Sequence, residues 1–177
     1  MQEFTNEVIN LEQLPQYESV HLTAPHRSYR IIIAINISCL FALSLIGLII
    51  LQQVNEEAAS YWVIILSGFV IFFALLYILY FLSFKKRGYA LREKDILYRN
   101  GLIAEKTTII PLNRIQHVAL KEGLFSRMFK LATLEIHTAG GASGHLHIAG
   151  IPIEQAKTIK EGLLKKIDTL EKALSEE

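Results

Sequence analysis

Cysteine is nearly absent from this chain: Cys39 is the only one in 177 residues. An intrachain disulfide is therefore impossible, and a cysteine-based metal site is all but excluded. Net charge is scarce too. Eighteen Lys and Arg stand against seventeen Asp and Glu, a formal balance of +1. No global field draws such a protein to nucleic acid or to an acidic substrate. Charge is missing altogether from two long stretches, residues 31–51 and 61–84. The segment joining them, residues 52–60, has no Lys or Arg and carries Glu56 and Glu57.

What fills the uncharged stretches is apolar. Hydrophobic residues make up 51% of the chain, and they concentrate ahead of Lys85. The first stretch has about 21 residues, enough to cross a hydrocarbon core of ~30 Å as a helix. The second has about 24, with Tyr61 and Trp62 at one end and Tyr77, Tyr80, Phe81 and Phe84 at the other, where rings suit the headgroup region. The run begins too late and continues too long for a cleaved signal peptide. The short connection makes the spans antiparallel neighbours. His26, Arg27 and Arg30 precede the first span, and Lys85, Lys86 and Arg87 follow the second. The positive-inside rule then sets both termini in the cytoplasm. Neither span holds an ionisable side chain that would mark a transport path. Asn36, Ser38, Ser44, Ser67 and Gly68 are expected to assist close packing of the two helices.

Three segments result: a polar cytoplasmic one (1–30), a transmembrane hairpin (31–84, with spans 31–51 and 61–84), and a cytoplasmic domain (85–177). Pro15 and Pro25 break any long helix in the first. Tyr17, Val20 and Leu22 suit a short extended stretch there. That segment is expected to lie along the membrane surface or pack on the soluble domain.

Behind the hairpin the pattern changes to short strands. Residues 89–98 read as strand, polar turn, strand, and Asn100-Gly101 is a turn signal. Residues 105–112, 115–120, 131–138 and 145–149 supply further strands, the last two joined by the glycine-rich 140–144. Their spacing predicts one continuous antiparallel meander. From Ile153, apolar residues Ala156, Ile159, Leu163, Ile167, Leu170 and Leu174 recur at helical spacing, an amphipathic helix with Pro152 just before it.

About 6–7 antiparallel strands closed by one C-terminal helix is the architecture of pleckstrin-homology (PH) domains. The segments Gly88-Tyr-Ala-Leu, Ile96-Leu-Tyr-Arg-Asn-Gly101, Ile110-Pro-Leu-Asn-Arg-Ile-Gln-His-Val118, Arg127-Met-Phe-Lys-Leu-Ala-Thr-Leu-Glu-Ile-His-Thr-Ala-Gly140 and Ile153-Glu-Gln-Ala156 resemble the bacterial, membrane-flanked PH family called YdbS-like. That resemblance covers nearly the whole chain and implies a membrane hairpin ahead of a PH-like domain. It also implies a bacterial plasma (inner) membrane protein that accompanies a larger membrane protein with PH-like repeats. The family carries no assigned catalytic residues. Lys130 departs from it, since relatives commonly have glycine there.

Candidate sites are few. A phosphoinositide pocket would need converging Lys and Arg at residues 92–95, but Arg92-Glu-Lys-Asp95 balances two acids against two bases. Lys85, Lys86 and Arg87 form a basic collar at the membrane surface, serving topology, attraction of anionic lipid, or both. Arg114 and Gln116 have alternate-strand spacing and suit partner contact. The alternative is that Arg114 closes the turn after Pro111 and pairs with Glu93 or Glu122. Phe125, Arg127 and Phe129, with Met128 and Lys130, make an apolar–basic segment that contacts membrane or partner, or fills the core.

His117, His137, His145 and His147 allow a zinc, copper or nickel site or ordinary strand histidines; one register slip moves His137 to the other face. No metal, cofactor or small-molecule substrate is assigned. Glu93, Asp95, Glu105, Glu122 and Glu135 read as turn and strand-edge charges, and Ser126 and Ser143 lack a surrounding motif. An enzyme is therefore not expected. The leading expectation is an interaction or scaffold module, with the lipid bilayer and a PH-repeat membrane protein as partners. An anionic-lipid-sensing or transport-accessory subunit is the alternative.

Overall fold

The computed structural model describes residues 17–55, 60–102, 104–138 and 145–175. Its first long helices are α1 (Tyr29–Val54) and α2 (Trp62–Lys85). Both are long and apolar enough to cross a membrane, and only 11% and 6% of their most apolar windows are buried. A core helix of a soluble protein would be covered; these present Leu43, Val63, Ile64 and Ile71 outward. Glu56 and Glu57 of the connection lie outside the described residues.

Rings join the hairpin, which corrects the expectation of close helix packing for Ser44, Ser67 and Gly68, while Asn36 lines a cleft between the two helices. Phe41 of α1 stands 5.2 Å from Phe69 and 5.1 Å from Phe73 of α2, centroid to centroid. Ser44 donates to Leu40 O at 2.7 Å and Ser67 to Ile64 O at 2.9 Å. Each hydroxyl is satisfied within its own helix and needs no partner across the interface. A Cβ on Gly68 would meet nothing within 4 Å, so no neighbour approaches it closely.

Six strands follow. β1 (Gly88–Leu91), β2 (Asp95–Asn100) and β3 (Lys106–Pro111) form one antiparallel sheet. β4 (Ile115–Lys121), β5 (Leu131–Thr138) and β6 (His145–Pro152) form a second. The continuous meander expected from the sequence is thus divided into two sheets. Pro111 ends β3, Leu112 turns inward to 2% exposure, and its N–H bonds Lys94 O at 3.0 Å. Burying Leu112 through the 3-10 turn Leu112–Arg114 diverts the chain from a hairpin into a new sheet. The turn signal at Asn100-Gly101 is borne out by Gly101, whose φ of +115° favours glycine. Residues 139–144, where a glycine-rich turn was expected, lie outside the described residues.

The sheets enclose a core with Ile136, Ile151, Ala156 and Leu163 fully buried. α4 (Ile153–Ser175) lays its apolar stripe on the second sheet, with Ile159 and Ile167 partly buried beside the core. The side chains of Leu170 and Leu174 lie outside the described set.

The chain ahead of α1 packs on the domain. Thr23 and Tyr89 exchange backbone hydrogen bonds of 2.8 and 3.0 Å, and His26 N–H reaches Gly150 O at 2.8 Å. Leu22 lies against Gly88. This segment therefore links β1 to β6 and seats the first turn of α1 on the second sheet.

Lys130, between the short helix α3 (Leu124–Met128) and β5, has φ of +54°. A left-handed non-glycine residue costs about 1–2 kcal/mol, and glycine loses about 0.5–1 kcal/mol in extra chain entropy. Lys130→Gly should raise domain stability by roughly 0.5–1 kcal/mol in denaturant titration. A loss of stability would show that the lysine side chain stabilises the turn by more than its backbone costs.

Candidate interaction and membrane-contact site

β4 and β6 are the two edge strands of the second sheet. β4 pairs with β5 on one side, and among the described residues no strand pairs with its other side. The corner between β1 and β6 is stapled by residues 23–26, while that between β3 and β4 is spanned by the turn Leu112–Arg114. The register shifts between Ile115 and His117, so Gln116 is an extra, bulged residue. The bulge leaves Gln116 and His117 both exposed in succession.

Arg114 is exposed, and among the described residues no ion pair joins it to Glu93 or Glu122. Backbone bonds close its turn instead: Leu112 N–H to Lys94 O, and Ile115 N–H to Leu112 O. Arg114 and Gln116 are therefore displayed at the start of β4, and exposed Arg127 stands on α3, beyond the other end of the strand.

α3 divides the aromatic–basic segment into two faces. Phe125 and Phe129, four residues apart, are half-buried. Leu124 and Met128, equally spaced, are 77% and 73% exposed. The outward apolar surface belongs to this second pair, of which sequence reasoning missed Leu124. The i, i+4 spacing was the available signal. α3, which carries the exposed pair, packs beside α1 as well as β5.

The three collar residues are not equivalent. Lys85 lies over the Phe81 ring at 5.4 Å. Lys86 donates to Glu105 at 2.7 Å, and this bond holds the Glu105 carboxyl below its ordinary range. Whatever this pair contributes is present above the ordinary glutamate range and is lost as pH falls through the lowered value. Both side chains are about half exposed, so salt screens it. Arg87 is half-buried, and its Nε is buried with no hydrogen-bond partner among the described residues. Burial raises the Tyr98 phenol above its ordinary range, against the opposing charge of Arg87 nearby.

At the β1–β2 turn, Arg92 is held by Asp95 through Nε–Oδ1 at 2.5 Å and Nη2–Oδ2 at 2.6 Å. Lys166 reaches Glu93 O at 3.3 Å. The guanidinium that a phosphoinositide would require is already paired.

The histidines share the outer face of the second sheet. Register sets His117 opposite His137, and His137 opposite His145. His137 Nδ1 and His145 Nδ1 are 2.9 Å apart, and His147 Nδ1 lies 3.4 Å from Glu135. Among the described residues no group of three or more His, Cys, Asp or Glu is arranged to hold a metal.

Two apolar spanning helices, six antiparallel strands in two sheets and a C-terminal helix define a membrane-associated protein with a PH-like domain. The model of the bacterial PH domain family matches residues 30–167, taking in both long helices, and the chain belongs to that family. It is similar to UPF0699 transmembrane protein YdbT of Bacillus subtilis (strain 168), at 31% identity over 86 residues. Those residues are 48% of this chain and 17% of that protein, so the chain spans less than a fifth of that relative's length. No solved structure matches the chain.

Proposed function

We propose that this protein is a non-catalytic, membrane-tethered interaction module. Its PH-like domain docks a second membrane protein carrying PH-like repeats at the cytoplasmic face of a bacterial plasma membrane. The observation that carries this reading is the unpaired outer edge of β4, followed in the chain by α3 with its exposed apolar pair. An open strand edge is a template for an added strand, and large apolar side chains left exposed on the helix after it suit a partner surface. Exposed Arg127 supplies a polar neighbour to Leu124 and Met128 on α3, while Arg114 and Gln116 offer polar contacts at the other end of the β4 edge. Half-buried Phe125 and Phe129 support that surface from beneath.

The orientation rests on Arg27, Arg30, Lys85, Lys86 and Arg87 at one end of the hairpin, against Glu56 and Glu57 at the other. Protease added to sealed inverted vesicles reaches both ends of the chain in that orientation, and neither end in the reverse one.

A photo-crosslinking residue in place of Gln116, in the full chain in its own membrane, tests the docking. The expected adduct is a membrane protein with PH-like repeats. Its recovery should fall about tenfold in an Arg114→Ala, Met128→Ala double variant, as for loss of well-packed interface contacts. Adducts with lipid alone, or recovery unchanged by the double variant, would sink the docking proposal.

A further inference from the structure

At the β-domain end of the hairpin, α1 and α2 leave a cleft of about 300 Å³ between them. Its walls are mainly apolar, with Ile33, Ile37 and Leu40 from α1 and Leu76 from α2, and carry one amide, Asn36. Its other end is polar, where Tyr29, Tyr80 and Arg87 meet. Among the described residues, no carboxylate lines it. Arg87 brings a permanent charge whose Nε is buried and unpartnered among the described residues. A buried guanidinium donor without an acceptor is unfavourable, and among the described residues no carboxylate pairs with this one.

The sequence around the cleft fits an amphiphile at this depth. Arg87 lies two residues beyond the end of α2, and the rings of Tyr29 and Tyr80 stand at the hairpin's end, where headgroups begin. A phosphate diester accepts paired hydrogen bonds from a guanidinium, and a phenol hydroxyl can donate to the same group. An acyl chain continues along the apolar walls into the bilayer. The neighbouring basic residues are otherwise engaged, Lys86 with Glu105 and Lys85 over Phe81.

We infer that this interhelical cleft binds one glycerophospholipid, its phosphate on Arg87 and an acyl chain between α1 and α2. The inference needs the hairpin to lie in a bilayer. It is independent of partner docking at β4, so either can fail alone.

Full-length protein in detergent, titrated with phosphatidylglycerol and read by native mass spectrometry, tests it. The wild type should retain one lipid. Arg87→Gln should lose about tenfold in retention, reflecting removal of a charge-assisted contact, while Lys157→Gln, which removes an exposed charge on α4, stays close to wild type. Leu40→Trp fills the apolar wall with Arg87 intact and should also weaken retention, which separates lipid binding from any folding defect of the arginine variant. Retention unchanged in both Arg87→Gln and Leu40→Trp overturns the site. Displacement of the lipid by excess inorganic phosphate overturns the lipid assignment, since it would make the cleft a site for the free anion.

Discussion

Gly150→Val is expected to loosen the soluble domain from the hairpin and to cost about 2–5 kcal/mol of stability, combining backbone strain with overpacking. Gly150 lies in β6 with φ of +82°, a conformation that suits glycine and is worst for a β-branched side chain. Space is lacking as well. A Cβ at this position would stand 2.8 Å from Tyr29 Cγ and 2.9 Å from Tyr29 Cβ. Tyr29 begins α1, and the Gly150 carbonyl accepts the His26 N–H just ahead of it. Side chain and backbone therefore meet at one joint between membrane helix and sheet. Denaturant unfolding of the full chain in detergent gives the stability change, and amide exchange at His26 reports the joint. A matched control is Gly162→Ala, where a Cβ meets nothing within 4 Å in the middle of α4. That change should stabilise by roughly 0.5–1 kcal/mol through helix propensity. If the two variants unfold alike, Gly150 is not the constraint described.

Leu163→Ala should destabilise the domain by about 2–5 kcal/mol, the range for truncating a buried leucine. Leu163 is fully buried against the two-sheet core, which includes Leu112, Val118 and Ile148. Its removal leaves a cavity between α4 and the sheets that rigid strands cannot close. Against a typical total of about 5–15 kcal/mol, that loss is a large share. The adjacent Leu164 is 40% exposed, and Leu164→Ala should cost less than about 1 kcal/mol. Equal losses at both positions would mean that α4 does not lie on the sheet by the face described.

Much of the architecture was legible because its signals are local. Two uncharged stretches of membrane-spanning length became α1 and α2 within a few residues of the expected ends. Period-2 alternation and Asn100-Gly101 located the strands, and the 3.6-residue stripe from Ile153 located α4. Lys130, where the family resemblance pointed to a departure, fell on a left-handed backbone position. Those patterns depend on neighbours a few residues apart, and the chain carries them openly.

The site was less legible, because exposure and pairing are decided by distant residues. Phe125 and Phe129 looked like contact residues by type, yet the helix turns Leu124 and Met128 outward instead. Lys85, Lys86 and Arg87 look alike in a row, but only folding gives Lys86 to Glu105 and leaves the Arg87 Nε without a partner among the described residues. The alignment of His117, His137 and His145 depends on strand register, which a one-residue slip would have reversed.

By itself, then, the sequence determined the membrane hairpin, the strand and helix inventory and the PH-like class. Hydrophobic runs and periodicities act over a turn or a strand pair. Tertiary structure decided the division into two sheets, the open edge at β4 and the polar cleft at Arg87. Each depends on which far-apart segments claim a hydrogen-bonding group or a space first.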